Sequence, residues 1–178
     1  MKSANGLIKS ETLSVHRHIS FTAHYTGYIW YQLGLSHKAF ASRKGFILTW
    51  LLRPLELFAE QLVGGSMRTT LTQRHSLIDK QLQNFLTLNP KATIVEIACG
   101  LSPRGWRFRQ HYPNIEYIEV DLPAMAAAKR QALAQVGQQD ALVLGVDLFS
   151  DEFAAIATHL DSNTPLVVVS EGLVNYFT

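Results

Sequence analysis

Cysteine is nearly absent: Cys99 stands alone in 178 residues, so no disulfide forms within the chain. Excess charge is absent too. Sixteen Lys and Arg face fourteen Asp and Glu, a net of +2, which excludes a broad polyanion-binding face. The densest basic stretch, Arg104, Arg107 and Arg109, reads as a solvated helix face. Long apolar runs are missing. The longest, "FILTWLL" at 46–52, falls far short of the roughly 20 residues that span a bilayer. The opening "MKSANGLIKSETLS" has no apolar core and is no secretory signal. His16, His18 and His24 lack a second cluster to complete a metal site, so no metal is expected. What is present is a globular composition, 47% apolar and 17% charged. These features predict a soluble, cytoplasmic protein with no nucleic-acid or membrane partner; its oligomeric state is open.

The chain changes rhythm near Pro90. Before it, "AFASRKGFILTWLL" and "LELFAEQLVGG" carry apolar residues at three- and four-residue spacings, and Gly64-Gly65 stops the pattern. "TLTQRHSLIDKQLQNFLTL" then sets Leu71, Leu77, Ile78, Leu82, Phe85 and Leu86 near one helix face, ended by Asn89-Pro90. After Pro90, strands and helices alternate. Strands are expected at 93–98, 115–121, 141–147 and 164–172. Helices are expected at 103–112, with Ser102 as N-cap and Pro103 in its first position, then at 123–137, and after Ser150. Such alternation implies parallel crossovers and a sheet covered on both faces. The expectation is an α/β protein of two regions. Residues 1–90 form a helical cap and substrate region, and 91–178 a cofactor-binding region with four parallel strands. No helix is predicted after the fourth strand, so this region reads as incomplete, an N-terminal portion of a longer enzyme or a degenerate product.

Ligands of open parallel sheets bind beyond the carboxyl ends of the strands. Those ends here are Ala98-Cys99-Gly100, Asp121, Asp147-Leu148 and Glu171-Gly172, and three of the four present a carboxylate. Asp121 lies about twenty residues beyond the loop glycine, where an acid meets ribose hydroxyls. Glycine is scarce in the first loop. A dinucleotide fingerprint wants three, whereas Ala98, Gly100 and Pro103 occupy the corresponding positions, and proline has no N–H to give a phosphate. A cofactor without phosphates fits better. S-adenosylmethionine has ribose, adenine, an amino-acid tail and a cationic sulfonium that suits acidic strand ends.

"VEIACGLSPRGWRF", "YIEVDLP", "GVDLF" and "SEGLVNYF" resemble, in order and spacing, the motifs of the leucine carboxyl methyltransferase family, which includes bacterial O-methyltransferases of polyketide biosynthesis. "QRHSLIDKQL" is similar to that family's arginine-bearing helix before the first strand, and "TAHYTGYIWYQLGLSH" to the N-terminal segment of its bacterial members. The likeness runs from roughly residue 20 to the end. It implies a Rossmann-like, S-adenosylmethionine-dependent methyltransferase sheet behind an N-terminal helical cap. It further implies that Arg74 meets the carboxylate of the methionine tail, with Gly100 letting the backbone approach that tail and Glu96 and Ala98 lining it. Asp121 would hold the ribose, Asp147 and Leu148 the adenine, and Glu171 the amino-acid end. Two departures stand out: the family usually has glycine at the Ala98 position, which alanine can fill if its φ is negative, and often an aspartate near Ser102.

The implied reaction is methyl transfer to a carboxylate or hydroxyl of a small, hydrophobic or polyketide-like acceptor. A carboxylate is already ionised and needs no general base; a hydroxyl would use one, with His24, His75 and Tyr176 as candidates. The aromatic stretch around Tyr28 and Trp30, with "FILTWLL", reads either as core packing against the sheet or as the acceptor site. Cys99 reads as a small buried filler, and Tyr176 and Phe177 alternatively as packing residues. Two other functions stay open: a non-catalytic cofactor-binding or interaction domain, and a nicotinamide-dependent oxidoreductase.

Overall fold

The computed structural model of the chain describes residues 21–64, 66–158 and 160–173. Among the described residues, three α-helices and a 3-10 turn precede the sheet. Helix α1 covers residues 21–32, and a 3-10 turn follows at Lys38–Phe40. Helix α2 (Arg43–Val63) is capped by Ser42, whose hydroxyl accepts from Gly45 N, and ends on Gly64 in the left-handed conformation. The two periodic stretches on either side of Pro54 form one helix, and α2 runs through that proline. Helix α3 (Met67–Leu88) closes at Asn89.

Strands β1 (Thr93–Ile97), β2 (Glu116–Asp121), β3 (Val143–Gly145) and β4 (Leu166–Ser170) alternate with α4 (Arg104–His111), α5 (Pro123–Ala134) and α6 (Asp151–Thr158). All pairings are parallel, in the order β3-β2-β1-β4. This is the order of the first four strands of a doubly wound sheet, so the expected α/β architecture is the one observed. Helix α4 starts one residue later than the sequence predicts. Pro103 is the cap, and Ser102 still lends its hydroxyl to Arg104 N. Ser150 caps α6 as expected, accepting from Phe153 N.

Strand alternation separates two unlike faces. On one, Ile94, Tyr117 and Val169 pack against Leu82 and Leu86 of α3 and Phe108 of α4. Each such buried side chain stabilises by roughly 1.5–3 kcal/mol. Ala126 and Leu133 of α5 cover Val143 on the same side. On the other face, Val95, Ile118 and Val120 pack against Phe153 and Ile156 of α6. The first face also carries Glu96 and Glu119 side by side in register, and both are buried. Buried carboxylates within strands need paired cations, and that requirement shapes the site described below.

Helices α1, α2 and α3 form a cluster of their own around Tyr25, Ile29 and Leu71, with Leu48 and Leu52 against it. Packing of "FILTWLL" against the sheet is not what the structure shows. Phe46, Ile47, Trp50 and Leu51 face outward, and Trp50 is 72% exposed. In α3 the inward stripe is Leu71, His75, Asp79, Leu82 and Leu86, a four-four-three-four spacing, while Leu77 faces solvent. Two polar residues therefore sit where an apolar stripe was expected. No helix among the described residues is long and apolar enough to cross a membrane.

Candidate active site

A cavity of about 550 Å³ lies between the strand ends and the α1–α3 cluster. Arg74, Glu96, Ala98, Gly100, Asp121 and Glu171 all line it, so six of the eight residues singled out from the sequence meet in one place. Asp121 spans the first loop. Its Oδ2 accepts from Gly100 N at 2.6 Å and its Oδ1 from Leu122 N at 2.7 Å. Burial pushes the Asp121 carboxyl above its ordinary value, and the two N–H donors only partly offset this. Gly100 has φ +50, and a Cβ there would stand 3.1 Å from Ala23 Cβ of α1. Glycine is thus required both by conformation and by the close approach of α1.

Below the cavity floor stands Arg104, with 0% exposure, the largest fully buried side chain among the described residues. Its Nε donates to Asp79 Oδ1 (2.6 Å), its Nη1 to Glu96 Oε1 (2.7 Å) and its Nη2 to Glu171 Oε2 (2.6 Å). Arg107 adds a second contact to Asp79, Arg74 donates to Glu171 Oε1 (3.0 Å), and Tyr117 donates to Glu96 Oε2 (2.9 Å). Three guanidiniums thus balance three carboxylates. His75 Nδ1 lies 2.8 Å from Arg104 Nη2 and 3.1 Å from Glu171 Oε2, so its lone pair serves the first or its proton the second. For Glu171, burial favours the neutral acid, but the His75 hydrogen bond and the Arg104 charge outweigh it and hold the carboxyl at about 2.

The leucine carboxyl methyltransferase family matches residues 38–178 of this chain. The chain belongs to that family. It is also similar to the tetracenomycin polyketide synthesis O-methyltransferase TcmP of Streptomyces glaucescens, 27% identical over 107 residues. The match covers 60% of this chain and 37% of TcmP, so the chain spans well under two thirds of that relative's length.

Within this family member, several sequence expectations change. The solvated arginine face is overturned: Arg104 is wholly buried, Arg107 reaches Asp79, and Arg109 donates to Glu119 Oε2 at 2.5 Å. The cause is the row of strand and α3 carboxylates that α4 packs against. Asp79 pairs with Arg104 and Arg107. Asp147 and Leu148 do not line the cavity. Asp147 Oδ1 accepts from Phe149 N, and Leu148 packs on the Val95–Ile118 face. Of the base candidates, His75 sits under the floor and His24 bonds Ser42 Oγ at 2.9 Å; neither lines the cavity. Tyr176, Phe177, His16 and His18 lie outside the described residues. Trp30 lines the cavity, whereas Tyr28 packs on Tyr31 and Phe46. Cys99 is buried, with its thiol pushed up by burial, and is no ready nucleophile.

Ala98 is the clearest departure. The condition of a negative φ is not met: φ is +52, alone among the described non-glycine residues in being positive. A left-handed alanine costs roughly 1–2 kcal/mol. Ala98→Gly is therefore expected to stabilise the chain by about 1 kcal/mol after glycine's greater unfolded-state entropy is counted. A thermal unfolding midpoint raised by roughly 2–4 °C would show it, and an unchanged or lower midpoint would not.

Proposed function

We propose that the chain binds S-adenosylmethionine and serves as the donor-binding part of an S-adenosylmethionine-dependent O-methyltransferase. In this reading the helices before residue 90 act as the cap over a hydrophobic acceptor. The carrying observation is the convergence of Arg74, Gly100, Asp121 and Glu171 on one cavity. Its residues suit this cofactor. Asp121 uses one site on each oxygen for backbone N–H groups and keeps lone pairs for two ribose hydroxyls. Among the described residues Arg74 is tied only to Glu171, so it can turn to a tail carboxylate while Glu171 and Glu96 take the ammonium. A zwitterionic tail leaves the balanced charge of the cluster unchanged. A pyrophosphate fits poorly, because the Gly100 N–H is already used, Pro103 has none, and four carboxylates, Glu56, Glu96, Asp121 and Glu171, line the space.

Bound there, S-adenosylmethionine supplies an electrophilic methyl group on a sulfonium. The protein's share is alignment and exclusion of water, given by α1 closing on Gly100 and by the apolar Phe21, Leu52, Leu55 and Leu71 beyond it. Asp147 and Leu148, at the neighbouring strand end, are the proposed adenine contacts. The polyketide role in TcmP's name supports a polyketide-like acceptor.

Titration calorimetry with S-adenosylmethionine, its demethylated product and NAD tests this. The first two are expected to bind and NAD not to. Asp121→Ala is expected to weaken both by tenfold or more, through loss of hydrogen bonds to a charged group worth about 1.5–3 kcal/mol. Binding of NAD alone would overturn the proposal.

A further inference from the structure

Helix α1 is pressed against the first loop along one face. A Cβ on Gly100 would stand 3.1 Å from Ala23 Cβ, and a Cβ on Gly27 would stand 2.8 Å from Leu101 Cβ. Ala23, Gly27 and Trp30 follow one another at i, i+4 and i+7, so one helix face carries all three. Small residues at the first two positions let the helix sit close to the loop, and this seats the third beside the strand ends. Trp30 is 6% exposed and lines the cavity, and its ring centroid lies 5.1 Å from that of His75.

The indole N–H of Trp30 is left over. Among the described residues Trp30 Nε1 has no hydrogen-bond partner, and neither has His75 Nε2, so the two rings touch without bonding to each other. A buried donor left in that state is unfavourable. An indole N–H only donates, so it requires a lone pair. The carboxylates at this end already serve other donors: Glu171 accepts from Arg74 and Arg104, and Glu96 from Arg104 and Tyr117. A molecule entering the cavity is then the source of the lone pair. His75 Nδ1 is 3.1 Å from Glu171 Oε2, and Glu171 holds Arg74, so Trp30 stands at the same end of the cavity as that arginine. With the cavity read as the methyl-donor site, a reading on which this step rests, that end takes the amino-acid tail. We infer that Trp30 is a donor-binding residue, its indole N–H donating from α1 to the tail carboxylate that Arg74 holds from α3. A carboxylate has about four lone-pair sites, enough for a guanidinium fork and one further N–H. The tail then bridges α1 and α3, so that filling the donor site also fixes the cap.

The probes are S-adenosylmethionine and its decarboxylated form, which keeps the sulfonium, adenosine and ammonium and lacks only the carboxylate. Both are titrated by calorimetry against the wild-type chain and Trp30→Phe, which keeps an aromatic ring and drops the N–H. Trp30→Phe is expected to weaken S-adenosylmethionine by about tenfold, through loss of one hydrogen bond to a charged group, and the decarboxylated form by less than about twofold. Equal weakening of both reduces Trp30 to a packing residue and overturns the inference, as does no weakening of either. Should the variant fail to fold, the indole N–H resonances of the isotope-labelled wild type carry the test. Trp50 and Trp106 do not line the cavity, so the Trp30 signal is the one expected to move, and to move farther downfield with S-adenosylmethionine than with the decarboxylated form. A matching response to the two probes overturns the inference. If neither probe binds the wild type, the donor-site reading falls and the inference with it. Binding of S-adenosylmethionine that ignores Trp30 leaves the donor site standing and removes only the part given to this residue.

Discussion

Replacing Arg104 with methionine is expected to cost about 3–5 kcal/mol of folding stability, the usual result of stripping one partner from a buried ionic group. The guanidinium is wholly buried and holds Asp79, Glu96 and Glu171 through one nitrogen each. Arg107 and Arg74 keep partial pairing to Asp79 and Glu171, while Glu96 is left with Tyr117 alone. Lysine at this position keeps the charge but not the fork, so Arg104→Lys should recover only part of the loss. Urea unfolding measures both. The pH dependence gives a second readout. In the folded chain Glu171 titrates at about 2, below its ordinary 4.5. Its stabilisation is therefore fully present above about 4.5 and is lost as pH falls toward about 2. Without Arg104, the Glu171 carboxyl rises toward its ordinary range, and the depressed-carboxyl stabilisation shrinks. A variant as stable as the wild type would show that α4 carries no such network.

The role of Arg104 was hidden in the sequence for a definite reason. "PRGWRFRQHY" has arginines at 104, 107 and 109, and counting charge makes that face solvated. Only its partners reveal otherwise, and they come from α3, β1 and the end of β4, elements far apart along the chain. A signal was nonetheless present. His75 and Asp79 continue the Leu71-to-Leu82 stripe at helical spacing, and an acid on a buried stripe demands a cation from elsewhere. Glu96 and Glu119, each flanked by apolar strand residues, make the same demand. The four strands and their parallel crossovers, by contrast, were readable from local alternation, because each strand, loop and helix is short and adjacent in sequence. Of the six cavity residues, Ala98, Gly100, Asp121 and Glu171 were found for the same reason: strand ends in a parallel sheet converge whatever the packing beneath them. Arg74 on α3 and Glu96 within β1 came only from the family resemblance. The strain at Ala98 could not be read, since φ is set by the turn from β1 into α4 and not by the residue's identity.

A second large effect is expected at Lys129 and Glu119. Both side chains are fully buried, 2.6 Å apart, and Arg109 also reaches Glu119. Burial opposes charge on each, yet Lys129 is raised and Glu119 lowered, because each partner's charge prevails over desolvation. Lys129→Met should cost about 3 kcal/mol, toward the lower end for a broken buried pair because Arg109 remains. Combining it with Glu119→Gln removes the stranded charge as well. The double variant should then be at least about 1 kcal/mol more stable than the sum of the two single losses predicts. Lys129 has a further bond that Glu119 does not share: its ammonium donates to Ser102 O at 2.5 Å, tying α5 to the loop that lines the cavity. Loss of that tie frees the backbone that carries Gly100. Donor affinity should therefore fall in every variant lacking Lys129, including the double one, and hold in Glu119→Gln alone. Calorimetry beside urea unfolding separates the two effects. If affinity instead follows stability across all three variants, the Ser102 contact does not position the loop.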